Sequence, residues 1–149
     1  MPQQFPHQYK STITRTFASR GRVEAAPRSP LAVGPSVQMD GDLSSWSAEH
    51  LLLTSIGTCL LSTFEAIAAR DGIAVMWWQA TVSGQVEQTA EGLQFTSILA
   101  AIDMQIDGNV DAVEATLEDT KNYALVTNAL RVPVIVEANI FDREHRQAV

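Results

Sequence analysis

The stretch that decides the fold is Ser47–Gly72, SAEHLLLTSIGTCLLSTFEAIAARDG. It predicts one long helix: Ser47 is a good N-cap residue, Glu49 complements the helix dipole in the first turn, and Gly72 suits the position after the last turn. From Leu51 to Phe64 every face is apolar or small, which is typical of a helix buried on all sides. This uncharged run is too short and too rich in hydroxyl groups to span a bilayer, so we expect no membrane partner.

The length, net charge and cysteine content of the chain argue against several classes of function. The chain has 149 residues, 46% of them hydrophobic, which predicts a single domain over residues 1–149 with a substantial core. The net charge of −7 argues against nucleic acid as a partner, because such proteins usually present a basic face. The first ten residues contain no apolar run of signal-peptide length, so we expect a cytoplasmic protein. One cysteine and three scattered histidines predict no metal site, and no cofactor motif is present.

Strand patterns flank the central helix on both sides. A second helix is expected from about Asp111 to Leu130, opened by an Asp111-x-x-Glu114 capping box and ended before Pro133. Ile13 and Phe17 are the expected apolar anchors of the first strand. The order of elements predicts an α+β fold with antiparallel hairpins around a buried helix. The expected strands are Tyr9–Phe17, Arg22–Ala26, a short one around Val37, Ile73–Gln88, Leu93–Ile106 and Val134–Phe141.

Alternation along the fourth and fifth of these strands predicts a long hairpin. Trp77 is expected on one face with Val75, and Trp78 on the other with Met76. The apolar parity of the fifth strand changes between Phe95 and Ile98, which predicts a β-bulge there.

Cys59, in the middle of the central helix, is the first candidate for chemistry. A lone cysteine usually packs as a small apolar side chain. A reactive thiol needs a cation or a helix N-terminus nearby, and Cys59 lies about three turns beyond that N-terminus. An arginine from elsewhere would therefore be required, and Arg20 and Arg22 are the candidates. Taken alone, both arginines fit a solvated turn, and Glu49 fits a dipole-compensating role.

Two motifs resemble the OsmC/Ohr family of osmotically inducible and organic hydroperoxide resistance proteins. WSAEHLLLTSIGTCLLSTFEAIA, residues 46–68, is similar to the family's W-S-P-E segment with its following cysteine, including the spacing from Glu49 to Cys59. NYALVTNAL, residues 122–130, is similar to the C-[PL]-[VI]-[ST]-N-[AS]-L signature on the second helix. TITRTFASRGRV, residues 12–23, resembles the N-terminal hairpin, so the resemblance covers nearly the whole chain.

The resemblance implies an intertwined homodimer in which long central helices are wrapped by antiparallel strands of both subunits. It also implies that Cys59 attacks a hydroperoxide, that Arg20 or Arg22 stabilises the thiolate, and that Glu49 anchors that arginine. The resolving cysteine of the family is replaced here by Ala124, so a two-cysteine cycle within one subunit is impossible.

Two functions therefore remain open. The first is a one-cysteine, thiol-dependent peroxidase in oxidative stress defence, which reduces small hydrophobic peroxides and is recycled by an external thiol. The second is a non-catalytic member that binds a small apolar ligand at the dimer interface. In the first case an apolar wall favours alkyl hydroperoxides, and the residues expected to form it are Leu52, Ile56, Phe64, and Trp77 or Trp78.

Overall fold

A computed structural model describes residues 5–142, and the chain divides into two compact units, Met1–Leu52 and Leu53–Val149. The first unit carries a three-stranded antiparallel sheet of β1 (Thr12–Arg15), β2 (Gly21–Glu24) and β3 (Leu31–Val33), in that order. The strand expected around Val37 is wrong, because Val37–Met39 forms a 3₁₀ turn and β3 lies earlier.

The first strand is shorter than predicted and buries nothing within its unit. Ile13 and Phe17 are 64% and 78% exposed, so the prediction that they anchor the strand is wrong for the chain as described. All four residues of β1 are exposed, so Ile13 pairs with Val23 at the surface of the unit, and Phe17 lies beyond the end of the strand.

Helix α1 (Ala48–Arg70) matches the prediction in its position and its ends. The Ser47 hydroxyl accepts a hydrogen bond from the His50 backbone N–H at 3.3 Å, which caps the first turn. Gly72, with φ +72°, takes the left-handed conformation that ends many helices.

The burial of α1 differs from the prediction. Only Ile56, Leu60, Phe64, Ile67 and Ala68 of its 23 residues are fully buried, so one stripe faces the core, and the other large apolar side chains of the helix are half-buried within the chain. The full helix is also long and apolar enough to cross a membrane by length and composition, contrary to the estimate from the uncharged run alone. A core helix of a soluble protein meets the same test.

The second unit contains a sheet with the strand order β4–β5–β6. Strands β4 (Ala74–Thr89) and β5 (Gly92–Asp107) form the predicted hairpin. Strand β6 (Val134–Asp142) pairs with β5 in parallel, which the expected all-antiparallel arrangement missed. The inner face of β5 carries a continuous row of buried side chains: Ile98, Ala100, Ile102, Met104 and Ile106.

Two bulges set the faces of the hairpin. The predicted bulge on β5 is confirmed, because Gln85 pairs with Ser97 and Val86 with Phe95, leaving Thr96 as the extra residue. A second irregularity at Met76 separates the pairs of Val75 and Trp77. It shifts the alternation, so the expectation that Val75 and Trp77 share a face is wrong.

The second predicted helix is two helices. Helix α2 (Val110–Tyr123) begins with Asn109 as its N-cap, whose side chain accepts from the Asp111 N–H, so the expected Asp111 capping box is wrong. The chain is extended at Ala124 and re-enters a short helix, α3 (Leu125–Asn128). Side chains of α3 donate to carbonyls around the break: Thr127 to that of Ala124, which also accepts from the Asn128 N–H, and the Asn128 side chain to that of Asn122.

Candidate active site

Cys59 lies half-buried on α1 and accepts a hydrogen bond at its sulfur. The backbone N–H of Val126 donates to Cys59 Sγ at 3.4 Å. Val126 is in the first turn of α3, where N–H groups have no partner within the helix and are free to bind another acceptor. The break between α2 and α3 therefore supplies a backbone donor to the sulfur.

Ala124 lies two residues before this donor and is fully buried. Its N–H donates to the Thr120 carbonyl at 2.9 Å, and its carbonyl accepts from the Asn128 N–H at 3.1 Å. The segment that resembles the family's resolving-cysteine signature thus packs beside Cys59, and at that position it carries a methyl group instead of a second thiol.

Arg20 closes a tight turn in the first unit. Its N–H donates to the Phe17 carbonyl at 2.9 Å, and the two residues between, Ala18 and Ser19, have φ values of 45° and 63°. Positive φ at both central residues is the requirement of a type I′ hairpin turn, which is usually met by Asn and Gly. The guanidinium Nη2 forms an ion pair with Asp42 Oδ2.

Arg22 lies on β2 and has a different partner. Its Nε donates to Glu24 Oε1 at 3.1 Å, two residues further along the same face of the strand. Both side chains of this pair are about half-exposed, at 54% and 50%. An exposed pair of neighbours on one strand adds little stability, because water screens the charges.

Glu49 lies half-buried in the first turn of α1, as predicted. Among the described residues it forms no ion pair. Arg20 and Glu49 belong to the same unit, yet the carboxylate that Arg20 binds is Asp42. The structure therefore brings Cys59 to Val126 and Arg20 to Asp42, and it pairs neither candidate arginine with Glu49.

Sequence reasoning missed Asp42 and its neighbour Ser44. Asp42 Oδ1 accepts from the Ser44 N–H at 2.9 Å and from its hydroxyl at 2.6 Å, which is an Asx-type turn. The signal was present as an Asp-x-Ser run just before the N-cap. Arg20 and Asp42 line a cleft of about 610 Å³ whose other walls include Phe17, Met39 and Asp40.

The apolar wall predicted to face a hydrophobic peroxide is not formed by all of the residues expected to form it. Ile56 and Phe64 are fully buried within the chain, so neither presents a surface to a substrate. Trp78 packs against Phe64 with its ring tilted, and the bulge turns Trp77 to the opposite face of the sheet. Tyr123 and Leu125, which flank Ala124, are 71% and 70% exposed and are the large apolar side chains next to the Cys59 segment.

No group of three or more His, Cys, Asp or Glu side chains within the described part of the chain is arranged to hold a metal ion. His7 and His50 fall inside this part, while His145 lies outside the described residues.

The sequence and the fold were compared with those of known proteins. A family model described as OsmC-like protein matches residues 40–139. An OsmC-like protein of unknown function from Vibrio cholerae superposes with a TM-score of 0.81 at 13% identity, over 90% of this chain and 100% of that one. An OsmC-like protein from Mycoplasma pneumoniae gives 0.80 at 12% identity, over 91% and 99%.

An organic hydroperoxide resistance protein from Elizabethkingia anophelis gives a TM-score of 0.71 at 15% identity, over 93% of this chain and 99% of that one. At these identities the likeness shows the fold. No curated protein matches the sequence.

Proposed function

Because the chain belongs to the OsmC-like protein family, we propose that it reduces organic hydroperoxides through a single cysteine, Cys59. The observation that carries the proposal is the Val126 N–H bound to Cys59 Sγ at 3.4 Å. A half-buried sulfur held by a backbone donor is accessible to a small substrate, which a reactive cysteine requires. Organic hydroperoxide resistance proteins among the structural neighbours support the same class of substrate.

The proposed cycle balances with one hydroperoxide and two external thiols. The Cys59 thiolate attacks the terminal peroxide oxygen, the O–O bond breaks, and the remaining alkoxide takes a proton and leaves as an alcohol. The product is a sulfenic acid at Cys59. A first external thiol displaces water to form a mixed disulfide, and a second releases the enzyme thiol and a free disulfide. With Ala124 at the resolving position, both thiols come from outside the subunit.

Arg20 is the proposed thiolate-stabilising cation. Its side chain is tied to a carboxylate from a distant part of its unit, whereas Arg22 is tied to a neighbour on its own strand. An ion pair with a distant segment fixes the orientation of the Arg20 guanidinium, and a catalytic cation needs a fixed orientation.

A homodimer is part of this proposal. Helix α1 fully buries one stripe and leaves its other large apolar side chains half-buried within the chain, and a second subunit is the expected cover for them. A protomer of 16.2 kDa should therefore elute as a dimer in size-exclusion chromatography with light scattering, and a monomer would contradict this part. We place the protein in the cytoplasm as a soluble dimer.

The test is intact-mass analysis after titration with cumene hydroperoxide, with and without dimedone. The chain has one cysteine, so any thiol modification reports on Cys59 alone. We expect one oxygen atom added per chain at about one equivalent of peroxide, replaced by one dimedone adduct when the trap is present. Cys59→Ser is the control. An unmodified Cys59 at large peroxide excess would favour the non-catalytic, ligand-binding alternative.

A further inference from the structure

We propose that the outer face of the β4–β5–β6 sheet is a docking surface for an extended, basic segment of another protein. The proposal concerns the second unit alone and is independent of the chemistry proposed for Cys59. Three rows of paired residues define this outer face: Trp77, Gln105 and Phe141; Gln79, Asp103 and Asn139; Thr81, Ala101 and Glu137.

The strand register places these residues on the side of the sheet away from the core. Side chains alternate between the two faces along a strand, and directly paired residues of neighbouring strands share a face. Met104 is fully buried, so its neighbour Gln105 belongs to the opposite, outer face. Trp77 and Phe141 are both paired with Gln105 and therefore lie on the outer face with it.

Two exposed aromatic side chains mark one end of this face. Trp77 is 46% exposed and Phe141 is 52% exposed. One strand separates them, so their backbones lie roughly 10 Å apart across the sheet. A guanidinium or ammonium group that binds above Gln105 is within reach of both rings, and cations are attracted to aromatic rings. Exposed tryptophan is also a residue type that is enriched at protein–protein interfaces.

Carboxylates occupy the next two rows. Asp103 lies about 7 Å along the strands from the aromatic row, and Glu137 lies about 13 Å from it. Asn139 Nδ2 donates to Asp103 Oδ1 at 2.8 Å, which orients the carboxylate and leaves Oδ2 available as an acceptor. Within residues 5–142, neither of these carboxylates forms an ion pair.

The charge of the outer face selects the occupant. Asp103 and Glu137 are acidic, and none of the other residues in the three rows is Lys or Arg. A basic partner is complementary to this face, and such complementarity both speeds association and excludes wrong partners. The same face of a second copy would bring like charges together, so a second copy is not the expected occupant.

The spacing of the rows indicates an extended segment. Successive rows are about 6.7 Å apart, which is also the distance between alternate residues of an extended chain. A segment with a basic residue at every second position can therefore place one cation in the aromatic row, one beside Asp103 and one beside Glu137.

The test measures the binding of a fluorescein-labelled peptide, Arg-Ser-Arg-Ser-Arg, to the full-length protein by fluorescence anisotropy in about 0.15 M salt, where distant charges are screened. The isomer Arg-Arg-Arg-Ser-Ser has the same charge without the alternation. The variants are Trp77→Ala, Asp103→Asn and Glu137→Gln. Glu114→Gln is the matched control, because it removes one exposed carboxylate from α2 instead of the sheet.

We expect each of the three outer-face variants to weaken binding of the alternating peptide by about 2- to 5-fold, the range for one exposed cation–π contact or surface ion pair. Glu114→Gln should bind like the wild type, and the isomer should bind more weakly than the alternating peptide. Equal circular dichroism and melting temperature establish folding. If Trp77→Ala does not fold, Asp103→Asn and Glu137→Gln decide the outcome.

Three results would overturn the proposal. The first is the absence of binding by the alternating peptide. The second is an equal loss in Glu114→Gln and Glu137→Gln, or equal affinity for the two peptides, since either would show attraction to net charge alone. The third is a smaller oligomer for Trp77→Ala than for the wild type in light scattering, which would mean that a second copy covers this face.

Discussion

The ring of Trp78 packs against the ring of Phe64, with centroids 5.1 Å apart and ring planes tilted by 38°. This contact joins α1 to the inner face of β4. Phe64 is fully buried, so its replacement by alanine removes the aromatic contact and leaves a cavity. We expect Phe64→Ala to lower the free energy of unfolding by about 3–5 kcal/mol in urea denaturation.

Leu93→Ala is the control for that measurement, because Leu93 is 61% exposed near the tip of the β4–β5 hairpin. Its effect should stay within about 0.5 kcal/mol. Equal losses in the two variants would mean that the Phe64–Trp78 contact is not part of the stabilising core.

Ala124→Cys should restore a two-cysteine cycle. Ala124 is fully buried, two residues from the N–H that binds Cys59 Sγ, so a thiol there is placed to attack a sulfenic acid on Cys59. After one equivalent of cumene hydroperoxide we expect an intramolecular disulfide, seen as a loss of about 2 Da and an absence of dimedone labelling.

Ala115→Cys is the matched control, since it adds a thiol on an exposed face of α2, the helix that ends just before Ala124. It should leave the Cys59 sulfenic acid open to dimedone. Dimedone labelling of Ala124→Cys at the level of this control would contradict the expected geometry.

Asp71 should make stability depend on acid pH. The hydrogen bond from Arg70 Nε, at 2.8 Å, lowers the pKa of the Asp71 carboxyl, and Thr116 Oγ1 also donates to it at 3.3 Å. A folded-state pKa below the unfolded value, about 3.9, means that the contribution is fully present above that pH. It is lost as the pH falls through the folded-state pKa.

We therefore expect urea denaturation of the wild type to show a stability that falls more steeply below about pH 4 than that of Asp71→Asn. Parallel curves for the two proteins would show that this carboxylate does not contribute.

Gly41→Ala should disturb the loop that carries Asp42. The added methyl group would overlap the Pro35 carbonyl oxygen, so the loop must move, at a cost of about 1–3 kcal/mol typical of overpacking. Gly34→Ala is the control, because Gly34 lines the same cleft. A Cβ added there would lie 3.4 Å from Ser45 Cβ, which is an ordinary contact distance. In thermal denaturation the melting temperature of Gly41→Ala should be lower than that of Gly34→Ala. Similar melting temperatures would contradict the steric argument.

The parts of the fold that were predictable are those fixed by neighbouring residues. The ends of α1 follow from Ser47 and Gly72, which act on the nearest turns of the helix. The β4–β5 hairpin and the bulge at Thr96 follow from the period of apolar residues along two adjacent strands. Glu49 and Cys59 were predicted to lie on one helix, and both are on α1.

The parts that were missed depend on contacts between distant residues. The pairing of Arg20 with Asp42 joins segments more than twenty positions apart, and nothing in either segment specifies the partner. The break at Ala124 depends on side-chain hydrogen bonds from Thr127 and Asn128 that compete with helix continuation. The half-burial of several leucines of α1 could not be predicted, because periodicity indicates an apolar face without saying which element covers it.

The parallel pairing of β6 with β5 has a consequence for the order of assembly during synthesis. The β4–β5 hairpin can close as soon as its own residues are made, since it is local. The free edge of β5 then stays open while the ribosome adds α2 and α3, because Ile98, which pairs with Gly84 on one side, has no partner on the other side until Val134 emerges. An unpaired edge on a nascent chain is a template for wrong pairing. Slowing translation between residues 107 and 134 should therefore raise aggregation during expression, while the mature protein stays unchanged.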